Sequence, residues 1–244
     1  MRKKLQIAGF CILAVYALVM VFVMPSTAGS VCCTGTTVNI DDSTDYRFVN
    51  KMDILKYMNS ANINPNGLSY KNINLHEMEK KIAEIPFVNK AQCYKSPGGL
   101  LCVDINQRKP ILRIKTPTQD LYLDSEGGLI NISTALSAYV PVLLSEKTLS
   151  KKYLKTDIYE FANYVYNDKF LNPLVEQIYI DINGKVEMVP RIGSQIVVLG
   201  STEGYQKKMA RLKKLYESGF SKVGWNKYKK IDLTYDNQAV CTRN

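Results

Sequence analysis

The most continuous apolar stretch of the chain lies near its start, where Leu5 to Met24 carries no charge and only Gln6 is clearly polar. At about 1.5 Å of rise per residue a helix of that length reaches roughly 30 Å, one hydrocarbon core. Beyond it the apolar positions fall into short periodic runs. Arg47 to Ser60 places Phe48, Met52, Leu55 and Met58 at helical spacing, with Asn50 able to cap the first turn. After a break at Pro65 and Gly67, Asn74 can cap a second helix with Leu75, Met78, Ile82 and Ile85 on one face. Pro86 and Phe87 stop that helix. Val88 to Tyr94 and Leu100 to Ile105 then read as strands joined by a turn at Ser96 to Gly99, and Val31 to Ile40 supplies an earlier strand before Asp41-Asp42. The order strand, helix, helix, strand, strand predicts an α+β module with two helices on a three-stranded sheet.

After Pro110 the period is mostly two. Ile111 to Ile114, Leu121 to Asp124 and Leu129 to Ile132 are predicted strands, followed by an apolar element at Tyr139 to Leu144. Asp157 to Val165 has helical spacing at Ile158, Phe161, Ala162 and Val165. Strands are predicted at Val175 to Ile182, Lys185 to Pro190 and Gln195 to Leu199. A Lys-rich helix, Tyr205 to Tyr216, comes next with Tyr205, Met209, Leu212 and Leu215 or Tyr216 inward, and a final strand runs from Lys230 to Val240. The expected organisation is a tail at 1–4, a transmembrane helix at 5–24, a tether at 25–35, the first module at 36–109 and a β-rich domain with flanking helices at 110–244.

Charge settles the orientation expected of the first segment. Arg2, Lys3 and Lys4 put the N-terminus in the cytoplasm by the positive-inside rule and everything after Pro25 on the far side. Ser26 to Gly29 would serve as the cleavage region of a signal peptide. The apolar run is longer than the roughly 7 to 15 residues of such a peptide, which favours an uncleaved anchor. The formal charge of +10 raises nucleic-acid binding, but lysines interleaved with acidic residues on helix faces are ordinarily solvation, and no nucleic-acid motif accompanies them. The helix Tyr205 to Tyr216 reads as a solvated amphipathic face before an anionic-lipid contact.

Candidate chemistry is sparse. His76 is the single imidazole and no nucleophile is tied to it by spacing, while Asp120, Asp124, Glu126 and Asp181 stand near turns, where carboxylates cap and reverse the chain. Cys11, Cys32, Cys33, Cys93, Cys102 and Cys241 contain no CxxC pair and form no cluster of zinc spacing with His76, so no metal site is expected. A two-residue turn would set Cys93 opposite Cys102, within disulfide reach. The apolar alternation argues for a three-residue turn, with Ala91, Cys93, Leu101, Val103 and Ile105 inward and Cys102 on the other face. Cys32-Cys33 reads as incidental to the tether, with lipidation or cross-linking as the alternative.

The run from Ile85 to Leu112, with Pro86-Phe87-Val88 at its start and Gln107-Arg108 before Pro110 at its exit, resembles the end of the POTRA domain of FtsQ/DivIB cell-division proteins. LYLDSEGGLI, Leu121 to Ile130, is similar to the strand-Asp-x-x-Gly hairpin of that family's β-domain, and the likeness extends to the C-terminus. The resemblance implies a non-enzymatic divisome scaffold of the inner membrane, single-pass, gathered at the septum, with no cofactor or small-molecule substrate. It would bind FtsB-like and FtsL-like partners outside the cytoplasm and couple complex assembly to septal wall synthesis. It also implies a partner site on the last strand, where Asp232, Leu233, Thr234, Tyr235 and Asp236 match an Asp-apolar-x-Tyr-Asp pattern followed by Asn237. Thr234 stands where some relatives carry a basic residue. An edge strand can accept an extended partner whatever the family, because its N–H and C=O groups lack a ladder partner. The rival reading is a POTRA-containing module of envelope transport or outer-membrane assembly, and a secreted thiol or hydrolytic enzyme has only isolated cysteines and carboxylates behind it.

Overall fold

The computed structural model describes residues 12–20, 31–41, 48–132, 138–220, 222, 224 and 227–243. Residues 12–20 are helical and exposed. The remainder of the expected span, the tail Met1 to Lys4, Cys11 and most of the tether lie outside the described residues. Among the described residues no helix is long and apolar enough to cross a membrane. The chain divides into two compact units, Met1–Gln107 and Arg108–Asn244.

The first unit is a three-stranded sheet in the order β1 (Gly35–Ile40), β3 (Leu100–Gln107), β2 (Val88–Lys95), with β1 parallel to β3 and β2 antiparallel to it. Helix α1 (Lys51–Ser60) packs over β1 and α2 (Leu75–Ile82) over β2. Both helices begin where an asparagine satisfies an orphan N–H. Asn50 Oδ1 accepts from Asp53 N at 2.9 Å, and Asn74 Oδ1 accepts from Glu77 N at 3.2 Å. The face of α1 turned inward differs from the one expected: Ile54 and Met58 are buried, Leu55 is half-buried and Met52 is exposed, while Phe48 lies before the helix. Phe48 instead stacks on Phe87, with ring centroids 5.0 Å apart.

In the β2–β3 hairpin Ala91 faces Ile105, Cys93 faces Val103, and Tyr94 lies opposite Cys102. Cys93 is buried and Cys102 half-buried on the other face, so the two thiols are separate, as the alternation predicts. Burial first, then the Glu79 and Asp104 carboxylates, push the Cys93 thiol up to about 12. Glu79 has a second duty. Its Oε1 accepts from the backbone N–H of Cys93 at 2.8 Å, so α2 masks one ladder group on the outer edge of β2.

The second unit is a nine-stranded sheet in the order β12-β11-β10-β9-β8-β7-β4-β5-β6. These strands are β4 (Pro110–Lys115), β5 (Asp120–Asp124), β6 (Leu129–Asn131), β7 (Val142–Ser145), β8 (Val175–Ile180), β9 (Val186–Pro190), β10 (Ile196–Gly200), β11 (Tyr228–Asp232) and β12 (Val240–Arg243). Its helices are α3 (Tyr159–Asn167), the short α4 (Leu171–Leu174), which the sequence pattern does not announce, and α5 (Tyr205–Lys214). π-helical turns lead into α3 at Leu154–Ile158 and out of α5 at Leu215–Phe220. The core gathers Ile114, Leu143, Ile178 and Met188 from the sheet with Phe161, Met209, Leu212, Tyr216 and Phe220 from the helices. Met209, Leu212 and Tyr216 point inward as their spacing predicts, and burial pushes the Tyr216 hydroxyl up to about 12.

Candidate partner-binding edge

The segment from Lys230 to Val240 is not one strand. β11 ends at Asp232, the chain turns through 233–239, and β12 starts at Val240 and runs back antiparallel to β11. β11 therefore lies inside the sheet between β10 and β12, and the terminal edge belongs to β12. The turn forms because Asn237 takes the left-handed region, φ 60°, which asparagine tolerates better than most residues.

The six candidate residues separate into three roles. Leu233 is fully buried, its N–H donating to Val198 O at 2.9 Å and its carbonyl accepting from Arg211 Nη2 at 2.8 Å, so its side chain belongs to the core. Asp232 and Thr234 form a closed local set. Asp232 Oδ1 accepts from Thr234 N at 3.1 Å and from Thr234 Oγ1 at 2.6 Å, with Lys230 Nζ 3.7 Å from Oδ2. Thr234 also lies against Gly200, where a Cβ would come within 2.7 Å of the threonine methyl and where φ is +75°. Tyr235, Asp236 and Asn237 form the outer part of the turn and are exposed, Tyr235 at 51%. Along β12, Val240, Thr242 and Arg243 are exposed while Cys241 is half-buried, burial raising its thiol.

Burial alone would raise the Asp232 carboxyl, but the hydrogen bonds from Thr234 and the Lys230 ammonium outweigh it and hold the group below the ordinary carboxylate range. A carboxyl depressed in the folded state contributes stability that is present above its unfolded value, about 3.9, and is lost as pH falls through the folded value. Urea unfolding should therefore show a loss of stability below about pH 4. Asp232→Asn, which keeps the shape and cannot titrate, should reduce that acid-side slope while leaving the core intact. An identical slope in the variant would show that the pair contributes nothing.

The other singled-out carboxylates are engaged in turns and pairs. Asp120 receives Arg113 through Nε and Nη2 at 3.0 and 2.9 Å, and that pair holds the Asp120 carboxyl low. Asp124, buried, accepts from Gly128 N at 2.6 Å and Glu126 N at 3.0 Å and meets Arg108 Nη1 at 3.1 Å, which is the Asp-x-x-Gly turn made physical. Asp181 closes the β8–β9 turn by accepting from Lys185 N at 2.8 Å, and His76 is exposed. Among the described residues no group of three or more His, Cys, Asp or Glu side chains is placed to hold a metal ion.

Two helices over a small mixed sheet, followed by a larger sheet whose last strand, β12, forms one edge, define a two-module α+β chain. Residues 31–106 match the model of a POTRA-like domain, and residues 109–242 match the model described as FtsQ/DivIB, C-terminal related. The second match alone spans more than half of the chain, and the chain belongs to the FtsQ/DivIB family. The family carries a cell-division role and is one of non-enzymatic division scaffolds. A comparison with curated proteins finds no match.

Proposed function

We propose that this chain is a divisome scaffold that accepts an extended segment of an FtsB-like partner along the outer edge of β12. An FtsL-like protein would join the same assembly, and the assembly would couple to septal wall synthesis. The observation that carries the reading is the position of β12: it ends the nine-stranded sheet, and the exposed turn bearing Tyr235, Asp236 and Asn237 stands beside it. Backbone groups on a free edge supply affinity for an added strand, and a rigid aromatic beside it supplies selectivity. Asp232 and Thr234 would shape the turn rather than touch the partner, and Leu233 would anchor it from the core.

In this reading Leu5 to Met24 is a single inner-membrane span with the N-terminus cytoplasmic and both units outside the cytoplasm. The family match supports the division role, and the uncharged apolar run behind three basic residues supports the anchor. A fluorescent fusion of the full chain is expected in the membrane fraction and concentrated at midcell in dividing cells. A uniform distribution round the envelope would instead favour a POTRA module of envelope transport or outer-membrane assembly.

A further inference from the structure

A second surface of the larger unit has a chemistry of its own. α3 and the first residue of α5 line a cavity of about 460 Å³ whose walls are Tyr159, Tyr164 and Tyr205 together with Glu160, Asn163, Asn167 and Asp168. Glu160, Asn163, Tyr164 and Asn167 recur at helical spacing and so form one stripe along α3, with Asp168 just beyond its end. A π-helical turn lies just before α3, and such turns are frequent at functional sites. Tyr205 comes from the neighbouring helix, where its ring meets Tyr164 edge to face at 5.2 Å and Phe161 at 5.6 Å.

The lining carries two carboxylates and no cationic side chain, in a chain whose formal charge is +10. The two carboxylates differ. Asp168 is already served: it accepts from Phe170 N and Leu171 N at 2.7 and 2.9 Å, and Lys213 Nζ lies 3.6 Å from it and 5.5 Å from the Phe170 ring centroid. Just outside the lining, an ammonium is thus held between a carboxylate and an aromatic face. Glu160, by contrast, stands near Tyr205, whose hydroxyl is raised by burial first and then by the negative charge of Glu160. Among the described residues the exposed Glu160 side chain makes no ion pair and no hydrogen bond. The same pairing of carboxylate and aromatic ring is present there without its cation.

We propose that this cavity binds an arginine or lysine side chain of an extended basic peptide segment of a partner protein, the cation seated between Glu160 and the rings of Tyr164 and Tyr205. Asn163 and Asn167 would meet the partner's backbone amides, since both are side chains with donor and acceptor capacity. Cation–π attraction and an unpaired carboxylate act on the same charge, so the two contributions reinforce each other. A neutral saccharide would use the rings and the amides but gain nothing from the charge of Glu160. The proposal rests neither on strand addition at β12 nor on the membrane anchor.

The test is calorimetric titration of the full chain in detergent at low salt, with the peptide Gly-Arg-Gly-Arg-Gly capped at both ends. Because the protein as a whole repels cations, attraction must come from a local site. Saturable binding is expected, weakened at least about fivefold by Glu160→Gln, whose thermal unfolding should match that of the wild type. Tyr164→Leu should weaken it as well. The proposal is overturned if the peptide does not bind, if Glu160→Gln binds it equally well, or if Glu84→Gln on the other unit weakens it just as much. It is also overturned if a β-1,4-linked N-acetylglucosamine tetramer binds in the peptide's place, which would make the cavity a saccharide site.

Discussion

Replacing Phe87 with alanine is expected to cost the first unit about 3 to 5 kcal/mol, the range for deleting a fully buried aromatic side chain. Phe87 is 2% exposed and stacks on Phe48. It stands where the chain leaves the α2 region and enters β2, so its ring joins helices to sheet. Phe48 is in turn fixed from the other side, since the N–H groups of Phe48 and Val49 both donate to Gln107 Oε1, at 3.1 and 3.0 Å. Collapse around the missing ring would have to move α1, β2 and the exit of β3 together, and that resistance places the cost in the upper part of the range. Denaturant unfolding of the full chain in detergent, followed by a probe in the first unit, measures it. A loss under about 1 kcal/mol, ordinary for a surface site, would contradict the placement of this ring.

Tyr235→Ala is expected to leave folding nearly unchanged and to weaken capture of the FtsB-like partner at least tenfold, which corresponds to about 1.4 kcal/mol. The two halves of that expectation have separate causes. The ring is half exposed at the top of a turn already closed by Asp232, Thr234 and the left-handed Asn237, so its removal leaves no cavity. Tyrosine at an interface buries a large rigid surface at little entropic cost, and truncation at such centres commonly removes about 2 kcal/mol or more. Thermal unfolding and partner capture should be measured on the same preparation. Unchanged capture would remove Tyr235 from the interface, and capture lost together with folding would assign the ring a structural role.

The features that could be read from the chain are those set by neighbours in sequence. The caps at Asn50 and Asn74, the Asp124 turn and the hairpin that separates Cys93 from Cys102 depend on spacings of a few residues, and all appear as the pattern predicts. Where longer pairing decides, the pattern misleads. Ile231, Leu233, Thr234 and Tyr235 have strand-forming character, so Lys230 to Val240 looks continuous. Only the Asp236-Asn237 dipeptide hints that β12 folds back to take the edge from β11. Met52 and Leu55 satisfy a helical period as well as Ile54 and Met58 do, and only the packing of α1 on the sheet, which local sequence does not show, selects between them. The tyrosine cavity had no sequence signal at all. Glu160, Asn163 and Asn167 look like any solvated helix stripe until Tyr205 arrives beside them from a helix about 40 residues later.

The parallel pairing of β1 with β3 carries a consequence for how the chain is made. Gly35 to Ile40 emerge from the ribosome early, but their ladder partners begin at Leu100, so β1 must wait unpaired while α1, α2 and β2 are synthesised. Loop closure over that distance is slow compared with forming a hairpin, so β2 and β3 should associate first and β1 should dock onto an edge already in place. The strand closest to the proposed anchor is therefore first in synthesis and last to be secured. A chain halted before Leu100 would present β1 as a bare edge, open to any other strand it meets.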